Sequence, residues 1–397
     1  MTKKDSPLRR FLKLESSSGI LLLIAAFLGL VAANSPIQGS YNSFLESGFA
    51  IGSGFFYLEL TVLKVINYIL MTLFFFVIGL EIKRELVQGH LSSRRKAIMP
   101  FLAALGGMAI PAIIYLTIAG DKYSHGWGVP VATDIALAVG VLAMVGKRAT
   151  DSLRSFLLGL AVIDDIGAIL IIAFVYSSGV DFLWLATSAL AVVTITITRR
   201  LGATRISVYV VIGSILWYGL YRSDVHPTLA GVILGLLTPL SLSSSRSPEA
   251  GSEEGVLERL ENSLHPWASY VVVPIFAFAN SGVTISSESI HEAVSSPIAW
   301  GIFFGLVLGK PLGIITTVFF AARINIGEKP EGSTTKSTLA TGSAAGIGFT
   351  VAIFIAHLAF SVKSEQDIAI LAVILASLVS GIMSFTIFRV SGPKANA

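Results

Sequence analysis

The chain has 397 residues, 54% of them hydrophobic and 13% charged, with a formal net charge of +4 and a mean hydropathy of +0.79. Soluble domains carry about 25% charged residues, so this composition marks a polytopic membrane protein whose length is spent on spans and short loops. The absence of cysteine excludes disulfides and thiolate metal sites, the six histidines have no metal-ligand spacing, and a charge of +4 is no nucleic-acid signal.

Apolar segments of spanning length fall at 14–33, 60–82, 97–119, 127–146, 155–177, 182–198, 205–221, 225–240, 265–283, 298–322, 337–361 and 366–389. The expected fold is therefore all-α with twelve transmembrane helices. With the N-terminus placed inside, 23 of the 28 basic residues face the cytoplasm and three (Lys122, Arg222, Lys363) face out, while Lys64 and Lys310 fall within spans. That bias is what the positive-inside rule requires, and it puts both termini in the cytoplasm.

The N-terminus, with Lys3, Lys4, Arg9, Arg10 and Lys13 before an apolar run, has the form of a signal peptide but reads as a retained first helix because the rest of the chain is also membrane. The Gly52-Ser53-Gly54 turn between apolar runs in Phe49–Leu60 predicts a small β-hairpin on the outer surface. Residues 241–255 are a polar cytoplasmic linker. Beyond it Leu257, Leu260 and Leu264 share one helix face and Glu254, Glu258 and Glu261 another.

Two adjacent aspartates, Asp164 and Asp165, lie in the apolar stretch 156–174. A carboxylate at mid-bilayer costs about 2.5 to 3.5 kcal/mol on insertion scales, a large part of a net stability of about 5 to 15 kcal/mol. Serine or asparagine would serve helix packing at lower cost. The pair therefore points to a site that changes charge, as a proton carrier, a cation ligand, or both.

Three features converge on it. Pro130 precedes Thr133-Asp134 in a hydrophobic segment, and a break there frees backbone groups that are tolerated only against protein or a cavity. Lys310 stands beside a stripe of glycines at 301, 305, 309 and 313, which lets one helix face approach a neighbour closely, and a lysine so deep needs a carboxylate. Gly342-Ser-Ala-Ala-Gly-Ile-Gly-Phe-Thr350 is a second interrupted span. Pro111 and Pro311 occupy similar positions in the spans before the two breaks. Two three-helix units starting at the third and tenth spans have opposite orientation, which predicts inverted repeats, roughly 97–177 and 298–389, with 14–96 and 182–297 as interface and scaffold.

The motifs Ala132-Thr-Asp-Ile-Ala136, Ile163-Asp-Asp-Ile-Gly167, Phe76-Val-Ile-Gly-Leu-Glu-Ile-Lys-Arg-Glu-Leu86, Val225-His-Pro-Thr-Leu-Ala-Gly-Val232, Leu264-His-Pro-Trp267 with Phe276-Ala-Phe-Ala-Asn280, Leu308-Gly-Lys-Pro-Leu-Gly313 and Gly346-Ile-Gly-Phe-Thr350 together resemble the NhaA family of bacterial sodium/proton antiporters. The resemblance covers nearly the whole chain. It implies crossed, broken fourth and eleventh spans, a plan for which this family is itself a type example. It implies that Asp164 and Asp165 bind the sodium or lithium ion and the protons, that Thr133 lies near the cation, and that Asp134 balances the helix ends at the crossing. Lys310 is expected to pair with Asp164, and Gly346 and Thr350 to support the site. Glu81, Arg84, Glu85, His226 and Glu261 are assigned to a pH-responsive cytoplasmic region, and the outer hairpin to a homodimer contact. The implied protein is an electrogenic transporter of the bacterial inner membrane, with the bilayer as partner, no cofactor beyond the transported ions, and no catalytic residue. Tyr68, Pro227 and Asn262 depart from the family pattern and bear on pH tuning, not on the aspartate pair.

The residues also stand against the rival classes. A proton-coupled carrier of organic solutes would place aromatic or arginine groups near the pair. An intramembrane aspartyl protease uses two aspartates on separate helices, and no Gly-x-Gly-Asp occurs. A passive channel has no use for a titratable pair beside a lysine.

Overall fold

The computed structural model describes residues 17–53, 56–177, 179, 181–201, 206–240 and 255–391. The basic N-terminal segment, the turn positions Gly54 and Phe55, the linker up to residue 254, and Arg205 and Lys394 lie outside the described residues. The chain forms two compact units, one of residues 1–41, 90–168 and 277–397, the other of 42–89 and 169–276.

Among the described residues six helices are long and apolar enough to cross a membrane, and nine spans result if each of three bent helix pairs counts as one. The six are Val62–Val87, Lys96–Ala119, Asp151–Phe174, Phe182–Arg200, Pro297–Arg323 and Lys363–Ser391. The segments expected at 205–221 and 225–240 form the shorter helices Ile206–Arg222 and Leu229–Leu237. The one expected at 265–283 falls in a helical run that passes through a π-helical turn at Ala268–Val272.

The first unit holds both interrupted spans. Asp121–Val131, a 3₁₀ segment, is followed by Ile135–Arg148 at a bend of 50°, and Thr335–Ala345 by Phe349–Ala359 at 48°. Each break has a local cause. The Asp134 carboxylate caps the Ile135–Val145 helix by accepting from Leu137 N–H at 3.1 Å, so the helix starts there. The second pair begins on a Thr334–Ser337 capping box, and its first helix stops at the glycine pair Gly346 and Gly348.

The glycine stripe of the Pro297–Arg323 helix sits where close approach requires it. A Cβ on Gly313 would stand 2.1 Å from the Gly106 carbonyl oxygen, one on Gly309 2.9 Å from Pro111 Cα, and one on Gly305 2.7 Å from Pro130 Cβ. On the next helix, a Cβ on Gly342 would stand 3.0 Å from Pro311 Cα. Each proline that opens the ladder of one helix is thus met by a glycine of its neighbour. This packing draws Lys310 into the interior, where it is fully buried.

In the second unit the hairpin is an antiparallel pair, β1 Gly48–Ser53 and β2 Phe56–Thr61, with Gly48 opposite Thr61 and Ser53 opposite Phe56. Tyr57 N–H donates to the Tyr218 hydroxyl at 3.1 Å, and the Phe56 ring stacks on Tyr218 at 4.7 Å.

Gly313→Ala tests the stripe. The atoms its methyl would strike are backbone, which cannot rotate away, so the melting temperature in detergent is expected to fall, by an amount equivalent to about 1–3 kcal/mol. Gly39→Ala, where an added Cβ meets nothing within 4 Å, should leave it unchanged.

Candidate functional site

The two breaks meet. Asp134 N–H donates to the Ile347 carbonyl at 2.6 Å. The Asp134 Oδ2 accepts from Thr350 N–H at 3.1 Å and from its hydroxyl at 2.6 Å, while Oδ1 holds Leu137 N–H. One carboxylate therefore caps the N-termini of two half-helices, the positive ends of their dipoles.

The opposite ends are served by different groups. The Lys310 ammonium donates to the Val131 carbonyl, at the C-terminal end of the 3₁₀ segment, and lies 2.8 Å from Asp164 Oδ2. The Thr133 hydroxyl stands 2.8 Å from the same Asp164 oxygen and 2.9 Å from the Ala345 carbonyl, the C-terminal end of the other half-helix. It has one proton to give, so it bonds one acceptor at a time and leaves its lone pairs to face the other. Asp164 Oδ1 is buried and has no hydrogen-bond partner among the described residues.

The structure thus gathers Thr133, Asp134, Asp164, Lys310 and Thr350 in one buried network within the first unit. Asp165 is buried beside it, one position and about 100° further round the Asp151–Phe174 helix. Gly346 admits the close approach of its neighbours, because a Cβ there would lie 2.5 Å from the Leu306 carbonyl and 2.9 Å from Ser380 Oγ. Carboxylate, hydroxyl and carbonyl oxygens are the donor set a hard monovalent cation requires, and the same carboxylates take protons.

The five residues assigned to pH response lie in the second unit and form two groups. Arg84 Nη2 pairs with Glu261 Oε1 at 3.2 Å, and Glu81 Oε1 lies 3.6 Å from His265 Nε2. These pairs run between helices, whereas an i,i+4 cluster would keep them on one. Burial holds Glu261 above the ordinary carboxylate range, opposed by the Arg84 guanidinium and reinforced by Glu258 and Glu85. His226 is placed elsewhere. Its Nδ1 is 2.7 Å from the Thr228 hydroxyl, and its ring meets Tyr68 edge-on at 5.2 Å. Tyr68, one of the positions expected to bear on pH tuning, is therefore a neighbour of His226, while Asn262 is exposed.

Sequence reasoning missed the carbonyls of Val131, Ala345 and Ile347, which no side-chain pattern announces. It also missed His265 as the partner of Glu81. Ser377, whose hydroxyl accepts from Phe349 N–H at 3.2 Å, carried a signal in being polar on an inward face of an apolar span.

The model of the family described as Na+/H+ antiporter 1 matches residues 9–388. Among curated proteins, the Na(+)/H(+) antiporter NhaA of Shewanella loihica is 42% identical over 385 residues, covering 96% of each chain. The Na(+)/H(+) antiporter NhaA 1 of Klebsiella pneumoniae is 42% identical over 394 residues, 98% of each. The Na(+)/H(+) antiporter NhaA of Escherichia coli O1:K1 is 42% identical over 388 residues, 96% of this chain and 98% of its own.

The contact between Asp164 and Lys310 predicts energetic coupling. Removing either partner strands a buried charge, at a cost of about 3–5 kcal/mol. Asp164→Asn combined with Lys310→Gln should therefore lower the melting temperature by less than the two single changes sum to. Additive shifts would show that the pair carries no interaction energy.

Proposed function

Because the chain belongs to the Na+/H+ antiporter 1 family, we infer that it exchanges sodium for protons across a bacterial membrane. It is a secondary transporter and not an enzyme. The observation that carries the site assignment is the buried Asp164, which shares one oxygen with the Lys310 ammonium and the Thr133 hydroxyl and leaves the other without a hydrogen-bond partner among the described residues.

In the proposed cycle Asp164, Asp165 and Thr133 take sodium or lithium, and protons compete for the same oxygens. When sodium is absent, Lys310 supplies the opposing charge to Asp164. Sodium arrival displaces a proton from the carboxylates and a second from the Asp164–Lys310 unit, so each cycle moves net charge. A membrane potential then acts on it with about 2.3 kcal/mol per charge per 100 mV. Asp134, Gly346 and Thr350 hold the two breaks in place. We further propose that the chain spans the membrane twelve times, with the fourth and eleventh spans crossing at their breaks and the three-helix units related as inverted repeats. Both termini are placed in the cytoplasm on the charge bias of the loops, with the inner membrane as the location.

Regulation by pH is assigned to Glu81, Arg84, Glu85, His226 and Glu261. The hairpin is proposed as the homodimer contact. Its exposed Phe49, Ile51 and Phe56 are the kind of surface a second copy would cover.

Asp165→Asn is expected to abolish sodium-dependent proton exchange in proteoliposomes while the protein still inserts, and near-normal exchange would reject the assignment. Direct competition requires the apparent sodium affinity of the native protein to weaken as pH falls, and an affinity independent of pH would refute it. Glu261→Gln removes a carboxylate and frees the Arg84 guanidinium. Both changes favour ionisation of the remaining carboxylates, so the pH profile should move to more acidic values with the maximal rate retained.

A further inference from the structure

The Lys363–Ser391 helix carries Ser377, Ser380 and Ser384 at i, i+3 and i+7, on one face. That face is turned to the second break. Ser377 Oγ accepts Phe349 N–H, Ser380 Oγ stands against Gly346, and a Cβ on Gly381 would lie 3.6 Å from the Ile347 side chain. Ser380 and Ser384 are fully buried, and neither hydroxyl has a hydrogen-bond partner among the described residues.

That condition is unusual for serine in a helix, because the carbonyl four residues back is always within reach. Thr386 on the same helix uses it, donating to the Ile382 carbonyl at 2.7 Å, as does Ser343 on the neighbouring helix to Leu339 at 2.9 Å. Alanine would pack as well at 380 and 384 without leaving a buried polar group unmatched. Ser380 also lies next to Gly346, whose preceding carbonyl, Ala345, faces Thr133.

We propose that Ser380 and Ser384 supply neutral oxygen ligands to the transported cation, forming a station beside the carboxylate pair. The inference rests on the exchange site being at Asp164 and Asp165. A hard cation leaving water needs oxygens in succession, and a hydroxyl offers them without taking up or releasing a proton. Such ligands favour sodium while leaving the proton count of the carboxylates untouched. They therefore act on sodium affinity alone, whereas the aspartates act on sodium and protons together.

The test is Ser380→Ala in proteoliposomes and in detergent, with Thr386→Ala as control. The sodium concentration for half-maximal exchange should rise several-fold at every pH, with an unchanged pH slope. The melting temperature without sodium should stay level or rise, and the added stabilisation by sodium should shrink. A merely structural serine would give the reverse, a lower melting temperature and unaltered sodium dependence. The chain has no cysteine, so Ser380→Cys provides a second reading. Sodium should slow its alkylation by a small water-soluble thiol reagent, and alkylation indifferent to sodium would overturn the proposal. Loss of exchange in the native protein would fail the antiport reading itself. Native exchange with an unaltered Ser380→Ala variant fails this inference alone.

Discussion

A helix that breaks inside a membrane frees backbone donors and acceptors that lipid cannot satisfy. Two such breaks occur here, at Ala132–Asp134 and at Gly346–Gly348, and they are set against each other. Their four ends are answered by three side chains. Asp134 takes both N-termini, Lys310 one C-terminal end and Thr133 the other. The signs follow the dipoles, an anion at the positive ends and a cation at a negative one. What looks in sequence like an extravagance of buried charge is partly the cost of keeping two cut helices in hydrocarbon.

The glycine stripe follows from the same constraint. Lys310 can reach both the Val131 carbonyl and Asp164 only if its helix lies close to the Lys96–Ala119 helix and to Pro130. Gly305, Gly309 and Gly313 remove the atoms that would hold them apart. Polar partners and small residues are therefore one device, since the ion pair needs the close approach and a stranded lysine is what its failure would leave.

Much of this was legible because it consists of exceptions. In an apolar span an aspartate, a lysine, a proline or a run of glycines is conspicuous, and the pattern located both breaks and the hairpin. What stayed hidden was of three kinds. Carbonyl acceptors such as those of Val131 and Ala345 belong to any residue and leave no mark. Partners between helices are also unwritten. The spacing of Glu81, Arg84 and Glu85 suggests pairs within one turn, yet Arg84 also reaches Glu261 and Glu81 reaches His265 on another helix, contacts that only the tertiary fold creates. The serines at 380 and 384 are hidden for a third reason: a lone hydroxyl in a span is ordinarily satisfied by its own helix, and only the fold shows that these two have no partner among the described residues.

Charge balance within the site bears on how many protons one cation displaces. With Asp134 committed to two helix N-termini, the exchangeable charges in the proposed cycle are those of Asp164, Asp165 and Lys310. Both carboxylates ionised beside an ammonium leave one net negative charge, which a single proton on either carboxylate cancels. If sodium merely replaced that proton, the site would stay neutral and exchange would be one for one. The geometry argues for a further step. Asp164 Oδ2 is already occupied by Lys310 and Thr133, so a cation drawn to that oxygen meets an ammonium of its own sign at hydrogen-bond distance. In a medium of low dielectric, two cations so close repel strongly. In the proposed cycle that repulsion is relieved by the proton that leaves the Asp164–Lys310 unit. On that proposal sodium displaces two protons, one by competition for carboxylate oxygen and one by repulsion within the Asp164–Lys310 unit. On the same proposal the paired lysine is what turns neutral exchange into exchange driven by membrane potential.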